Sequence, residues 1–458
     1  MASEIRFNAF AMNTPGHLSP GQWTHPRDRS ADYNKLRTWT DLAQILEAGL
    51  FDGLFVADVV GVYDVYGGGP AAALRHAAQV PINDPMLLVS AMAHVTRHLG
   101  FGITSTLTWE SPYLLARRYS TLDHLTEGRV GWNIVTGYLD SGARAHGLDR
   151  LIAHDTRYGI AEEYMAVVYK LWEGSWEEGA AVRDRAQAIF TDPAKVHAVR
   201  HAGPNFRVDA IHLCEPSPQR TPLLYQAGTS DAGRAFAGRH AECVFVSGPS
   251  AAVIARRVRD LREAAAAAGR DPAEILIFSL LTLMVGETRA AAEDRHAECL
   301  RHASPGGALA LMAGWTGLDL STYGLDEEIR HIENDANRSA LENITRADPI
   351  RIWTVRDVAE RVSIGGIAPV IVGDARQVAD AVEDWVDQTG VDGLNLAYAV
   401  LPETFEDIAR HLVPELQRRG RYKRTYRPGT LRDKLFGRPR LAGWHPAAAH
   451  RPGAAPQG

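Results

Sequence analysis

The side chains of this sequence that could take part in chemistry are mostly neutral hydrogen-bonding groups, and they stand where short apolar runs end. In chain order these positions are Phe10, Asn13, Asp58, Thr104, Thr106, Asn133, Thr136, Tyr138, Gln226, Gly228, Thr229 and Ser230. No convergent carboxylate pair, Ser–His–Asp order or metal-ligand cluster accompanies them. Such a set suits a large planar ligand with many donors and acceptors on its edges, whose own chemistry does the work.

The stretch YQAGTSDAGRAFAGRHAE is the most specific of these. An apolar run ends at Gly228, and Thr229, Ser230 and Asp231 then lead into an amphipathic segment. Backbone N–H groups and hydroxyls at the start of a helix bind anions, and phosphate suits such a site best. The alternative is that Ser230 or Asp231 only caps the helix. Both interpretations stay open at this point.

A second helix start, in HDTRYGIAEEYM, places His154 and Tyr158 four residues apart. There both side chains could reach the same phosphate or a polar edge of the ligand. The alternative is an ordinary helix start capped by Asp155 or Thr156. Neither a GxGxxG loop nor a Walker loop occurs in the sequence. We therefore do not expect the chain to have a nicotinamide-binding domain of its own.

Asp58 and Asn133 allow two interpretations each. Asp58 follows the apolar run DGLFVA and can face the ligand or cap the turn that follows. Asn133 lies beside Trp132 in RVGWNIV, where its amide can face the ligand or hold the strand register as a satisfied buried group. Their place at the ends of apolar runs is what favours a role in binding.

The elements that must position these side chains follow from an alternation of short apolar runs with amphipathic segments. Eight strand–helix units follow one another without a reversal, from IRFNAFAM to the last strand DGLNLAY. This order favours a closed (β/α)8 TIM barrel of the α/β class over an open doubly wound sheet. Active sites of such barrels lie at the carboxyl ends of the strands, where the side chains above stand.

Two long stretches interrupt the alternation, at about 174–221 and 299–361, and ordinary barrel loops are shorter than these. We expect both to be insertions in a single domain formed by residues 1–436. PGGALALMAGWTG, in the second insertion, is expected to belong to a mobile lid with glycine hinges. Residues 437–458, rich in Pro, Gly and Ala, are expected to form a loosely ordered tail.

Composition excludes several classes of function. The formal charge of −6 over 458 residues argues against a nucleic-acid partner, which usually needs a basic face. No apolar run approaches the roughly 20 residues of a membrane helix, and the first residues do not resemble a signal peptide. Three scattered cysteines are too few for a disulfide scaffold or a metal site. We expect a cytoplasmic protein without membrane contact and without a metal.

Four long stretches of the sequence are distinctive: LTEGRVGWNIVTGYLDS, HDTRYGIAEEYMAVVYKLWEGSW, HLCEPSPQRTPLLYQAGTSDAGRAFAGRHAECVF and GVDGLNLAYAVLPETFEDIARHLVPELQRRG. They resemble the nitrilotriacetate monooxygenase branch of the bacterial luciferase-like flavin monooxygenases. Within this branch, NAFAMN, WTDLAQILEAGLFDGLFVADVVGVYDVY and NDPMLLVSAMAHVT resemble the long-chain alkane and dimethyl sulfide types. AGWTG and WTVRDV favour the dimethyl sulfide type. The resemblance covers about residues 5–436 and is more specific for the family than for the substrate.

The resemblance implies a TIM barrel that binds reduced FMN, which a separate NADH-dependent flavin reductase supplies. The flavin would react with O2 to give a flavin hydroperoxide that oxygenates a small-molecule substrate. A homodimer or homotetramer is expected. The residues expected to contact FMN are Asp58, Thr104, His154, Tyr158 and Ser230 by the family pattern, the last three around its phosphate, with Asn133 and Thr229 added from position alone.

Tyr63, Gln79 and Tyr138 are expected to lie at the catalytic centre, where Val59 and Trp315 would join them in walling a pocket beside the flavin ring. The tyrosines could instead be ordinary core aromatics with satisfied hydroxyls. In the same interpretation Trp132 fills the barrel, Gly137 leaves room for the ring, and Tyr138 faces the substrate.

The substrate is less specified than the cofactor. Long-chain alkane members tend to carry Cys and His where this chain has Thr14 and Tyr138, which favours a small neutral dialkyl sulfide such as dimethyl sulfide. The alternatives are a long-chain alkane or other xenobiotic monooxygenase and, in a different class, a non-catalytic flavin-binding barrel. Aldol or isomerase chemistry on a sugar phosphate would need a Lys, Glu or His base at a strand end, and none is evident.

Overall fold

The computed structural model describes residues 4–228, 230–329 and 353–453. The β-strands in these ranges are β1 (Arg6–Met12), β2 (Gly53–Ala57), β3 (Gly100–Thr106), β4 (Val130–Val135), β5 (Val199–Ala202), β6 (Arg207–Ala210), β7 (Leu223–Gln226), β8 (Cys243–Val246), β9 (Leu276–Gly286), β10 (Val370–Asp374) and β11 (Gly393–Ala397). The α-helices are Leu36–Ala48, Ala71–His76, Val89–His94, Pro112–Leu125, Asp140–Ala145, His154–Tyr169, Asp231–His240, Ala251–Ala267, Arg289–His302, Pro305–Thr316, Val355–Val362, Ala375–Thr389, Glu403–Asp407, Val413–Arg418 and Leu431–Phe436.

Eight of the described strands form a closed parallel barrel. They follow one another in the order β1, β2, β3, β4, β7, β8, β9 and β11, and β11 pairs with β1 to close the circle. Each pair keeps a defined register, and Thr104 of β3 lies opposite Asn133 of β4. Helices connect successive strands, as parallel pairing requires. The predicted TIM barrel is confirmed.

Strand β10 lies outside these eight and was not predicted. Strand β9 is 11 residues long, and its last residues pair with β10 from Thr282 to Gly286. Its earlier residues pair with β11 and β8 inside the barrel. The five residues of β10 become a strand because they lie against this extended end of β9.

Alternate residues of each strand face the barrel interior and the surrounding helices. In β4, Gly131 lies inside, where a Cβ would come 2.5 Å from an interior tyrosine ring. Its neighbour Trp132 points outward and is buried among aromatic side chains of the helical layer, Tyr119, Tyr164 and Trp172. The expectation that Trp132 fills the barrel is wrong. The same alternation turns Asn133 inward.

The first insertion contains the antiparallel hairpin of β5 and β6, which lies against helix His154–Tyr169. Glu163 of this helix accepts hydrogen bonds from the backbone N–H groups of Asn205 and Phe206, both at 3.0 Å, and from the ring of His201 at 2.9 Å. Burial alone would raise the pKa of Glu163, but these hydrogen bonds outweigh it and lower the pKa to about 2. The insertion is thereby attached to the helix that begins at His154.

Gly306, Gly307 and Gly314 of PGGALALMAGWTG lie within the continuous helix Pro305–Thr316, which is buried along most of its length, and Gly317 follows its end in a left-handed conformation. A Cβ at Gly314 would come 1.8 Å from the ring of Tyr63, and one at Gly307 would come 2.6 Å from Pro20. These glycines allow close packing, which is a different role from the hinges that we expected. Part of the second insertion, residues 330–352, lies outside the described residues.

Helix Leu431–Phe436 closes the end of the barrel opposite the strands' carboxyl ends. Its Leu431 and Leu435 join the interior aromatic cluster. The fully buried Arg432 donates to both carboxylate oxygens of Glu242, at 2.7 and 2.9 Å. No helix of the described ranges is both long and apolar enough to cross a membrane.

Residues 437–453 pack against the barrel. His445 is completely buried, and its Nε2 lies 3.0 Å from the backbone carbonyl oxygen of His240. The guanidinium of Arg438 donates to Glu274 at 2.7 Å. These contacts do not agree with the loosely ordered tail expected from composition, because tertiary partners supply the order that the segment cannot generate alone. Residues 454–458 lie outside the described residues.

Candidate active site

His154, Tyr158 and Ser230 form one group at the mouth of the barrel, the anion cluster. Oγ of Ser230 lies 3.2 Å from Nε2 of His154, and the rings of His154 and Tyr158 meet edge to face with centroids 5.1 Å apart. Ser230 also accepts a hydrogen bond from the backbone N–H of Gly233 at 3.1 Å. Ser230 is therefore an N-cap and a member of the cluster at once. Thr229 lies outside the described residues.

Two glycines bring the hydroxyl of Tyr158 close to the start of helix Asp231–His240. A Cβ at Gly228 would come 2.8 Å from the Tyr158 oxygen, and one at Gly233 would come 2.9 Å from it. Burial raises the pKa of Tyr158, so this hydroxyl stays neutral and can donate. Two hydroxyls, an imidazole and the first N–H groups of a helix make a donor set suited to phosphate.

Asn133 and Thr104 meet inside the barrel. Nδ2 of Asn133 donates to Oγ1 of Thr104 at 2.9 Å, and both side chains are buried. Oδ1 of Asn133 is also buried and has no hydrogen-bond partner among the described residues. An unsatisfied buried oxygen costs about 1–3 kcal/mol, so this acceptor is available to a ligand that donates to it.

Asp58 follows β2 at the same edge of the barrel. Its carboxylate accepts a hydrogen bond from the backbone N–H of Val59 at 2.9 Å, which is a local turn contact. Burial, with a smaller contribution from the charge of Asp84, raises the pKa of Asp58 to about 6. A carboxyl group kept partly protonated at a barrel mouth can either accept or donate towards a ligand.

Tyr63, Gln79, Tyr138 and Trp315 form a second group, the tyrosine array. The hydroxyl of Tyr63 donates to Oε1 of Gln79 at 2.8 Å, contacts the hydroxyl of Tyr138, and accepts from Nε1 of Trp315 at 3.2 Å. Tyr63 and Gln79 are buried, whereas Tyr138 is 41% exposed. Burial raises the pKa of Tyr63 far above its ordinary value. The Tyr138 hydroxyl lies against that of Tyr63, and its local desolvation raises the pKa of Tyr138 to about 12 although the residue as a whole is partly exposed.

Gln79 adopts a left-handed backbone conformation, with φ of +56°. This region is uncommon for a residue other than glycine, and it persists where the surroundings hold it. The backbone N–H of Gln79 bonds to carbonyl oxygens of Gly16 and Ala77, at 3.3 and 3.0 Å. The side chain is thereby directed at Tyr63.

The structure brings the sequence-predicted residues together in separate groups, the anion cluster, the Thr104–Asn133 pair and the tyrosine array, with Asp58 at the same edge. His17 was missed. Its ring is buried against Phe10, both ring nitrogens lack partners in the described chain, and burial lowers its pKa to about 3. Its place in the loop after β1 was the only indication in the sequence.

A family model, Luciferase-like monooxygenase, matches residues 7–393. The chain belongs to this family and is a monooxygenase. It is 51% identical over 453 residues to the dimethyl-sulfide monooxygenase of Hyphomicrobium sulfonivorans, covering 98% of this chain and 94% of that protein.

Solved structures agree with this assignment. The crystal structure of a long-chain alkane monooxygenase is 45% identical, with a TM-score of 0.91 over 98% of this chain and 100% of the other. The crystal structure of a riboflavin lyase with modified FMN and riboflavin is 35% identical, with a TM-score of 0.90 over 98% and 100% of the two chains.

Proposed function

We propose that the chain is a reduced-FMN-dependent monooxygenase of a two-component system. FMN, reduced elsewhere, would react with O2 to a flavin hydroperoxide that gives one oxygen atom to a small neutral substrate, while the other leaves as water. The observation that carries the proposal is that Oδ1 of Asn133, which has no partner among the described residues, lies on the same barrel edge as the anion cluster. One ligand with a phosphate and a planar polar ring can bind the anion cluster through its phosphate and donate to Asn133 from its ring.

The residues present fit FMN. The anion cluster would hold its phosphate, the Thr104–Asn133 pair would meet a polar edge of its ring, and Asp58 would face the same ring from β2. The modified FMN in the riboflavin lyase structure supports a flavin in a barrel of this kind. Bound in reduced form, FMN would supply the two electrons that O2 needs.

A separate NADH-dependent flavin reductase is the proposed partner. The sequence has no GxGxxG or Walker loop with which to bind a nicotinamide cofactor, so FMN would be reduced on another protein. A homodimer or homotetramer and a cytoplasmic location complete the proposal.

A dialkyl sulfide such as dimethyl sulfide is the proposed substrate. Phenol and indole rings of the tyrosine array would wall the pocket, and none of its members carries a charge that could hold an acid. Identity of 51% to a dimethyl-sulfide monooxygenase supports this choice, and 45% to a long-chain alkane monooxygenase keeps the alkane alternative open. A non-catalytic flavin-binding barrel is the alternative of a different class.

The test combines binding with turnover. Reduced FMN is titrated into the protein without oxygen, and O2 is then added by stopped flow, with dimethyl sulfide, hexadecane or nitrilotriacetate supplied alongside a flavin reductase and NADH. We expect tight flavin binding and the fastest turnover with dimethyl sulfide. Binding without any oxygenated product would favour the non-catalytic barrel, and faster turnover of hexadecane would favour the alkane alternative. Failure to bind reduced FMN would refute the proposal.

A further inference from the structure

The direction of each hydrogen bond in the tyrosine array follows from which groups can donate. Nε2 of Gln79 donates to the backbone carbonyl oxygen of His17 at 2.9 Å. A carbonyl oxygen only accepts, so this contact determines the orientation of the amide and leaves Oε1 of Gln79 facing Tyr63. Gln79 therefore presents Tyr63 with an acceptor.

Tyr63 has one proton and two lone pairs, and all three are assigned. The proton goes to Oε1 of Gln79, because two acceptors 2.8 Å apart would repel each other. One lone pair accepts from Nε1 of Trp315, which is a donor only. The remaining lone pair must accept from the hydroxyl of Tyr138.

The hydroxyl of Tyr138 therefore donates its one proton to Tyr63. We propose that Tyr138 offers the pocket only the lone pairs of its oxygen, and that the array selects ligand groups that carry O–H or N–H over groups that can only accept. Tyr138 is the member of the array suited to this contact, because it is 41% exposed and Gly137 before it has open space on its side-chain face. A dialkyl sulfide carries no O–H or N–H group, so the array would leave the sulfur of the proposed substrate to apolar contacts and would favour a different, donor-bearing ligand. The inference therefore goes beyond the proposed function and rests on the hydrogen bonds of the array alone.

The hydrogen bonds of the array have a fixed direction, and the array does not have the properties of a proton relay. It ends at the backbone carbonyl oxygen of His17, which has no proton to pass on. The raised pKa values of Tyr63 and Tyr138 keep both phenols neutral at ordinary pH, so ionisation does not reverse the direction of the bonds. Gln79 and Trp315 are thus positioning residues that act through the tyrosines.

The test measures binding of cyclopentanol and cyclopentanone to the flavin-free protein by ligand-detected NMR. The two probes share a ring, and only the alcohol has an O–H group. We expect the wild type to prefer the alcohol roughly three- to tenfold, the range of one net hydrogen bond. Tyr138→Phe should remove this preference. Gln79→Met frees the Tyr63 proton for Tyr138 and should reverse the preference towards the ketone.

Trp315→Phe is the matched control, because it removes a hydrogen bond from the same Tyr63 oxygen without changing the direction of the others. It should keep the preference for the alcohol. Thermal unfolding of each variant shows whether it is folded. A wild type that binds the ketone at least as tightly, or a folded Gln79→Met that keeps the wild-type preference, would overturn the inference. Neither result concerns flavin binding, so the proposed function would be judged separately by its own titration.

Discussion

Asn133 and Thr104 are joined by a hydrogen bond of 2.9 Å across strands β4 and β3, and the other end of the Asn133 amide has no partner in the described chain. Ser105, next to Thr104, faces the opposite way and lies 3.1 Å from the hydroxyl of Tyr119 in the helical layer. Adjacent positions of β3 therefore place one hydroxyl inside the barrel and the next in the helical layer.

Replacing Asn133 should weaken reduced-FMN binding. Asn133→Leu keeps the approximate size but removes the free acceptor, and the expected loss is about 1–2 kcal/mol, within the range for hydrogen bonds of this kind. Ser105→Ala is the control on the neighbouring strand and should leave the dissociation constant unchanged. Anaerobic titration followed by flavin fluorescence measures both. Equal affinities for Asn133→Leu and wild type would exclude Asn133 from the flavin site.

Replacing Ser230 should affect binding and stability separately. Ser230→Ala removes a phosphate donor, with an expected loss of about 1–2 kcal/mol in FMN affinity, and removes an N-cap worth about 1 kcal/mol of stability. Ser250→Ala is the matched control, because Ser250 caps the next helix by accepting from Val253. It should lower stability without changing FMN affinity.

Riboflavin tests the same contact from the ligand side. Because it lacks the phosphate, it should bind the wild type more weakly than FMN by a similar amount. Its affinity should also be insensitive to Ser230→Ala. If riboflavin and FMN lose affinity equally in Ser230→Ala, the phosphate lies elsewhere.

Asp58 should make stability depend on pH in a defined window. Its pKa is raised by burial from 3.8 to about 6, so ionisation opposes folding. A carboxyl group whose pKa is raised by folding contributes its full stabilisation of the folded state at pH values below its unfolded pKa. That stabilisation is lost as the pH rises through the pKa of the folded state. Asp58→Asn should therefore be more stable than wild type at pH 8, by about 3 kcal/mol, because one pKa unit corresponds to about 1.4 kcal/mol. The gain should shrink as pH falls from about 6 towards 4.

Urea unfolding of the flavin-free protein across this range measures the effect. Asp84→Asn is a useful companion, since the charge of Asp84 contributes to the raised pKa while its amide can still cap the turn at Met86. It should give a smaller gain of the same sign. A difference between Asp58→Asn and wild type that does not vary with pH would show that Asp58 titrates normally.

Shortening Tyr138 should change the preferred substrate size. Tyr138→Ala enlarges the pocket and should shift preference from dimethyl sulfide towards longer dialkyl sulfides. Tyr138→Phe keeps the ring and serves as the size control, so it should retain the wild-type preference for chain length. The ratio of kcat/KM values for short and long dialkyl sulfides measures this preference in each variant. An unchanged ratio in Tyr138→Ala would place the pocket wall elsewhere.

Local interactions explain which elements were predictable. Helix Ala375–Thr389 has a local signal at each end: Asp374 and Gln377 form a capping box at its start, and Gly390 takes a left-handed conformation after its end. The helix at the anion cluster begins at His154 after Ala153 without a side-chain cap, so neither Asp155 nor Thr156 caps it and its start is not shown by a local signal. Caps and apolar periods act within a few residues, so the sequence shows them directly.

The sequence by itself determined the strand–helix alternation, the barrel and the positions of the candidate ligand-binding residues near strand ends. Only the tertiary structure decided that Trp132 faces the helices, because a strand buried on both sides is apolar throughout and does not indicate which face is which. It also decided that Trp315 donates to Tyr63, 252 positions earlier in the chain. Contacts of that kind depend on how a helix of the second insertion packs over the barrel mouth, and no local pattern encodes that packing.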